Sequence, residues 1–437
     1  MPLTKRAVKS AGPAYARSGA LGQRKGYGMK IIRADYILTM DRENRIIKNG
    51  AIAFDRNVVE VSDDPVALET RYAGAELFDG GVNSVVMPGL VNPHIHLEFS
   101  KNVTTLEYGN FVGWLYSVME HREQLTQGCS RECFDAMIAR MMRSGTTAFG
   151  AISSFGYDFD ACVETPLKVV YFSELIGSVP AAVDAMYQDF QARLAMAEES
   201  ISSTFTPAIA VHSPYATHPV LVKKATEIAR KKHLKISTHF MESRAERKWL
   251  DEGSGEFKAF FNEFLKTDRP VTDSETFLSH FVDTDVLFVH GVHANARELD
   301  MIDAMNGTMV HCPVSNRLLG AGLLDLEEIK NREIPYTVAT DGLSSNYSIN
   351  LFKEIRASLF MHTCLDLRLL ARDLLRAVTI NGAAALGINS GALEPEKAAD
   401  LIMFKLPNSV EDEGMVPVQV ILHTNEVERV FIDGELQ

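Results

Sequence analysis

Nowhere in its 437 residues does the chain carry an apolar run near the roughly 18 residues that a membrane-spanning helix needs, so it reads as a soluble protein with no membrane partner. Cysteine is scarce. The five present (Cys129, Cys133, Cys162, Cys312 and Cys364) form an odd set without a Cys-x-x-Cys pair, which argues against a disulfide framework and a thiolate zinc site and for a reducing cytoplasm. Basic charge is also short: 44 Lys and Arg against 57 Asp and Glu leave a formal net charge of −13, which speaks against a nucleic-acid partner. Residues 1–28 lack acids altogether and contain Lys5, Arg6, Lys9, Arg17, Arg24 and Lys25 among Gly, Ala and Ser. Without the apolar core of a secretory signal, they are expected to be an appendage outside the fold, which should begin at Met29.

What is present points to a large core. A hydrophobic share of 46% is ordinary for a globular chain, and this length suits one barrel of about 250 to 300 residues plus a smaller companion. The runs Lys30 to Met40, Ile46 to Phe54 and Val58 to Val61 are β-rich, separated by turn signals. Near the other end, Leu401 to Lys405, Val418 to His423 and Val427 to Ile432 repeat that character, with Asp433-Gly434 as a hairpin turn. The two ends, residues 29–86 and 393–437, are expected to pair as a composite β-sandwich. Between them lie eight apolar, β-branched runs, each followed by a helical stretch: Val85 to Val91, Thr146 to Ala151, Lys168 to Leu175, Ala208 to Val211, Lys235 to Thr238, Val286 to Val289, Thr308 to Val310 and Tyr336 to Ala339. That alternation predicts an α/β fold, a TIM (β/α)8 barrel over residues 87–392.

In such a barrel the C-terminal ends of the strands converge on one mouth. The first run ends in Asn92-Pro93-His94-Ile95-His96, where alternation on an extended segment points both imidazoles to one side and toward one metal ion. His212 follows the fourth run, His239 the fifth, His290 the sixth and Asp341 the eighth. Five strand ends bearing a histidine or carboxylate are poorly explained as unrelated polar residues.

This constellation resembles the amidohydrolase superfamily, over nearly the whole folded chain. The resemblance implies a mononuclear deaminase site in which His94, His96, His239 and Asp341 hold one divalent metal ion, zinc or iron(II), with a position left for water. No lysine accompanies His212, so this histidine is expected to face the substrate; a second-metal or structural role stays open. Glu242, three residues after His239, matches a proton-carrying glutamate of the superfamily's deaminases. Displacing an amine from an aromatic ring requires a proton on the ring nitrogen before water adds, and another on the departing nitrogen. Asp341 and His290 would orient the water and take its proton, with His293 as the competitor of His290.

The segments His96 to Ser100, Tyr108 to Leu115, Gly150 to Ser154, Cys312 to Leu319 and Asp341 to Asn346 are similar to one subgroup of these deaminases, whose substrate is an adenosine-like small nucleoside with a benzoate-bearing chain on the ribose. That substrate implies Arg317 as partner of the benzoate, Glu98 as acceptor for ribose or purine, and Trp114 with Phe99 as a stacking wall. A structural ion pair for Arg317 and core packing for the aromatics are the alternatives. Rival substrates on this scaffold are adenosine, S-adenosylhomocysteine, guanine and chlorotriazines. A non-catalytic assembly protein is the rival of another class, but such proteins typically lack metal ligands that this chain retains. A homodimer is a superfamily-level expectation.

Overall fold

The computed structural model describes residues 28–101 and 103–437, so the expected basic extension lies outside the described residues except for Gly28. Two eight-stranded sheets organise the chain. One contains Leu90–Ile95, Thr146–Ser153, Lys168–Leu175, Phe205–Val211, Lys235–Phe240, Asp285–His290, Thr308–His311 and Tyr336–Val338, each parallel to its neighbours and in sequence order. Their residues are almost all buried, as strands covered on both faces must be, and this is why they appear in the sequence as unbroken apolar runs. This is the predicted TIM barrel.

The seam between the last and first strands is closed largely by a side chain. Asn92 donates from Nδ2 to Thr340 Oγ1 (2.7 Å) and accepts the Thr340 N–H on Oδ1 (3.1 Å), and the Asp341 N–H reaches the His94 carbonyl (3.2 Å). The group that completes the barrel therefore also holds the strand carrying His94 against the residue preceding Asp341. Replacing Asn92 with Ala would leave the buried Thr340 N–H without its acceptor and take one donor from the Thr340 hydroxyl, which keeps its own bond to the Asp341 carbonyl (3.1 Å). We expect Asn92→Ala to cost about 1–3 kcal/mol, read as a lowered denaturation midpoint in urea.

The second sheet joins the two chain ends, with order Glu435–Leu436, Arg429–Ile432, Leu401–Lys405, Ser84–Pro88, Lys30–Leu38, Ile46–Phe54 and Val58–Ser62; Glu76–Asp79 also pairs with Lys30–Leu38. Phe54, Phe78 and Phe431 meet edge-on within it, at centroid distances of 5.4 and 5.2 Å. At Asp433-Gly434 both residues have positive φ (47° and 75°), the conformation a two-residue hairpin favours, and a Cβ on Gly434 would collide with the Asp55 carbonyl. Buried Lys168, from the barrel, pairs with Asp400 and Asp433 (both 2.7 Å) and so ties the two sheets together.

Three expectations change. The run Val85 to Val91 is not one barrel strand: Ser84–Pro88 pairs with Leu401–Lys405 in the terminal sheet, and the barrel begins at Leu90. The chain passes between sheets at Gly89, where a Cβ would lie 2.2 Å from Thr147 Oγ1, so the crossing tolerates no side chain. Val418 to His423 belongs to a helix, Val416–His423, whose second residue is Pro417; buried Val418, Val420 and Ile421 pack toward the helix Leu367–Ala377, and this packing overrides their β preference. Finally, Cys129 and Cys133 form a disulfide at the start of the helix Arg131–Arg143, their Cα atoms 5.3 Å apart, a local link that a search for Cys-x-x-Cys passes over. Among the described residues no helix is long and apolar enough to cross a membrane.

Candidate active site

His94, His96 and His239 offer ring nitrogens that lie within 4.8 Å of one another at the barrel mouth. Asp341 Oδ1 lies 3.7 Å from Nε2 of both His94 and His96, and the Nε2 atoms of His96 and His239 are 3.3 Å apart. Each side chain is fixed from behind. The Nδ1–H of His239 donates to the His212 carbonyl (2.8 Å), which leaves its Nε2 lone pair facing the cluster. Asp341 Oδ2 accepts from Ser315 Oγ (2.8 Å) and Ser345 Oγ (2.7 Å), and its Oδ1 accepts the Gly342 N–H (2.8 Å). His94 is buried with neither ring nitrogen hydrogen-bonded, an arrangement that is costly unless a cation fills the gap.

Electrostatics agree with that need. Burial, together with neighbouring His94, pushes His96 down to about 4, and burial among four histidines holds His239 well below its ordinary value. Burial alone would raise Asp341, yet the imidazoles of His94, His96 and His290 beside it hold it well below the usual carboxylate range. Three imidazoles and one carboxylate fit a divalent metal ion.

Glu242 and His290 stand beside this cluster, with Glu242 Oε1 3.5 Å from His290 Nε2. His290 donates its Nδ1–H to Asn316 Oδ1 (2.8 Å), so its Nε2 carries the free lone pair, and burial pushes its pKa down to about 4. Burial, with Asp341 and Glu246 nearby, pushes Glu242 well above the usual carboxylate range. Glu246 sets the Glu242 backbone by accepting the N–H groups of Met241 (3.0 Å) and Glu242 (2.7 Å). Met241, His290 and Asp341 all have positive φ (50°, 73° and 58°), left-handed backbone that costs non-glycine residues about 1–3 kcal/mol each and collects at sites where the surroundings dictate geometry.

A cavity of about 230 Å³ opens above these groups. Its floor is polar: His96, His239, Glu242, His290, Asp341, Glu174, His212 and Ser154. Its walls are apolar, with Phe99, Phe111, Trp114 and Leu115 on one side and Phe155, Ile176 and Tyr215 completing them. The helix Phe111–Glu120 supplies much of this wall; it is capped by Asn110, and Trp114 is anchored by its Nε1–H to the Ser344 carbonyl (2.8 Å). His212 and Trp114 therefore line the cavity together with the metal-type cluster. His293 does not line it, and donates instead to the Ala321 carbonyl (2.7 Å).

Two residues expected to touch substrate lie elsewhere. Glu98 is buried beside the cavity, its carboxylate accepting the N–H groups of Ser154 (2.6 Å), Phe155 (3.0 Å) and Tyr157 (2.8 Å), so it shapes the loop after the second barrel strand. Burial, with Asp158 nearby, pushes it to about 8. Arg317 sits exposed on the short helix Pro313–Leu318, outside the cavity lining. The cation that does line the cavity is Arg122, stacked 5.5 Å over the Phe155 ring.

Glu174, also absent from the sequence-based expectations, is the penultimate residue of the third barrel strand. Its carboxylate, His212 and His239 offer atoms within 4.8 Å of one another. Burial would raise its pKa, but His212 and His96, the Ser154 hydroxyl and Arg193 hold it below the usual range. A carboxylate inside the apolar run Lys168 to Leu175 was the available signal, because burying it is costly without a role.

The sequence matches the amidohydrolase family over residues 85–436. It is 46% identical over 407 residues to the aminodeoxyfutalosine deaminase of Nitratiruptor sp., covering 93% of this chain and 99% of that one. It is 33% identical to the adenosine deaminase of Helicobacter pylori, over 93% and 99% of the two chains. The crystal structure of Helicobacter pylori aminofutalosine deaminase in complex with methylthio-coformycin superposes with a TM-score of 0.88 at 32% identity, covering 93% of this chain and all of the other.

Proposed function

The chain belongs to the amidohydrolase family, and from that premise we propose that it is a metal-dependent hydrolytic deaminase that converts 6-amino-6-deoxyfutalosine and water to futalosine and ammonia, a step of the futalosine route to menaquinone. The observation that carries this reading is the meeting of His96, His239 and Asp341 beside Glu242 at the floor of one apolar-walled cavity, with His94 buried against Asp341.

His94, His96, His239 and Asp341 would hold a single zinc or iron(II) ion, since the donor set suits both. Bound there, the ion supplies Lewis acidity that lowers the pKa of a water toward neutrality. Glu242, whose burial favours the protonated carboxyl, delivers its proton to the ring nitrogen next to the amine-bearing carbon. His290, neutral and with a free Nε2, takes a proton from the incoming water as oxygen adds to that carbon. Asp341, locked by Ser315, Ser345 and Gly342, orients the water. The C–N bond then breaks as the proton of the added hydroxyl passes through the Glu242 carboxylate to the departing amine, leaving the ring carbonyl and ammonia, and the proton held by His290 restores the Glu242 carboxyl. His212 borders the ring, and Trp114 offers a flat apolar face to the aromatic parts of the substrate.

At the mouth, Arg122 takes the place assigned to Arg317 as partner of the benzoate carboxylate. Ammonia release from a panel of nucleosides tests the substrate: aminodeoxyfutalosine should be turned over best, and a preference for adenosine or S-adenosylhomocysteine would reject it. Because the guanidinium is exposed, Arg122→Ala should raise KM for aminodeoxyfutalosine by only about tenfold, leaving KM for adenosine, which has no carboxylate, within about twofold.

A further inference from the structure

We propose that Glu174 is a specificity-determining residue that reads the sugar, its carboxylate accepting hydrogen bonds from the 2′,3′-diol of the bound nucleoside. This rests on the nucleoside deaminase reading above and extends it to a residue that reading does not use.

Glu174 is 1% exposed and lines the cavity. One carboxylate oxygen, Oε2, accepts from the Ser154 hydroxyl, whereas Oε1 is buried without a hydrogen-bond partner. The strand end that carries it is held by Arg193, which donates to the carbonyls of Ser153 (3.1 Å) and Glu174 (2.8 Å). A fixed, buried acceptor with an unused oxygen is costly to maintain unless a donor arrives in the working state.

Two kinds of group could meet that oxygen. A second metal ion would use Glu174, His212 and His239, the other cluster of suitable atoms. His239, however, has one nitrogen to offer: its Nδ1–H is bonded to the His212 carbonyl, and its Nε2 lies 3.3 Å from Nε2 of His96 in the first cluster. The two clusters would therefore compete for one lone pair, which disfavours two ions at once. The remaining donors on the proposed substrate, once its amine faces the reacting end, are the two ribose hydroxyls. A carboxylate is an acceptor-only group and suits a cis diol, which presents two O–H donors side by side.

Aminodeoxyfutalosine and its 2′,3′-dideoxy analogue are compared with wild-type protein and with Glu174→Gln, metal content being measured alongside. Wild-type kcat/KM should fall about 10- to 100-fold on loss of the diol, mostly in KM, the range of a charge-assisted hydrogen bond. Glu174→Gln should lose a similar factor on the diol substrate and little more on the dideoxy analogue, with unchanged metal per chain. Should the Gln variant fail to fold, Glu174→Asp, which keeps the charge and withdraws it by one carbon, should show the same loss of discrimination. Undiminished diol preference in the variant, or loss of a metal ion with Glu174, would overturn the assignment. Wild-type protein that releases no ammonia from the diol substrate would overturn the deaminase reading and this one with it.

Discussion

Glu242→Gln should retain fold and metal while lowering kcat by about 10²–10⁴-fold, the range that a positioned proton-transfer group contributes. Glutamine keeps the volume of the buried side chain, and the backbone there does not depend on it: the N–H groups of Met241 and Glu242 are held by Glu246. What disappears is the proton itself. An amide cannot protonate a ring nitrogen and later pass a proton to a departing amine. Because both transfers occur on the way to and from the transition state, the loss belongs in kcat with little change in KM. Steady-state ammonia release, metal analysis and a thermal melt on the same preparation separate these outcomes. A variant within tenfold of wild-type kcat would move the proton-carrying role to another group, and His290, 3.5 Å away, is the nearest alternative.

Much of this site was legible because barrel geometry converts sequence position into spatial position. A polar residue at the end of an apolar run has one place to go, so His94, His96, His212, His239, His290 and Asp341 could be gathered from the sequence and do meet at one cavity or its floor. Side-chain direction beyond the strand ends was not legible. Glu98 follows the histidine pair by two residues, but the donors that claim its carboxylate are backbone N–H groups after the second strand, which no residue type announces. Arg317 follows the seventh strand, yet the turn of a six-residue helix leaves it exposed, whereas Arg122 reaches the cavity from a helical insertion after the first strand. The division of Val85 to Val91 was hidden for a similar reason: its apolar character does not change, and the Pro88-Gly89 step, with Gly89 pressed against Thr147, marks the passage from one sheet to the other.

His239→Ala should abolish turnover by removing the metal and not merely by slowing a step. The imidazole of His239 is the point where the site's supports converge: its Nδ1–H is fixed by the His212 carbonyl, and its Nε2 stands 3.3 Å from Nε2 of His96. Outer partners of metal-binding histidines already contribute about 10–100-fold in affinity, and deleting the ligand itself should cost more than that. The backbone of the fifth strand would survive, because the His239 N–H is bonded to the same His212 carbonyl (2.9 Å) whatever the side chain. The folded variant should therefore emerge with little metal. Wild-type protein stripped by a chelator should match it in activity and recover on addition of zinc or iron(II), while the variant should not. A His239→Ala protein that keeps its full complement of metal would place the ion elsewhere. The Glu174 and His212 pair would not account for it, because the third donor of that cluster is His239 itself.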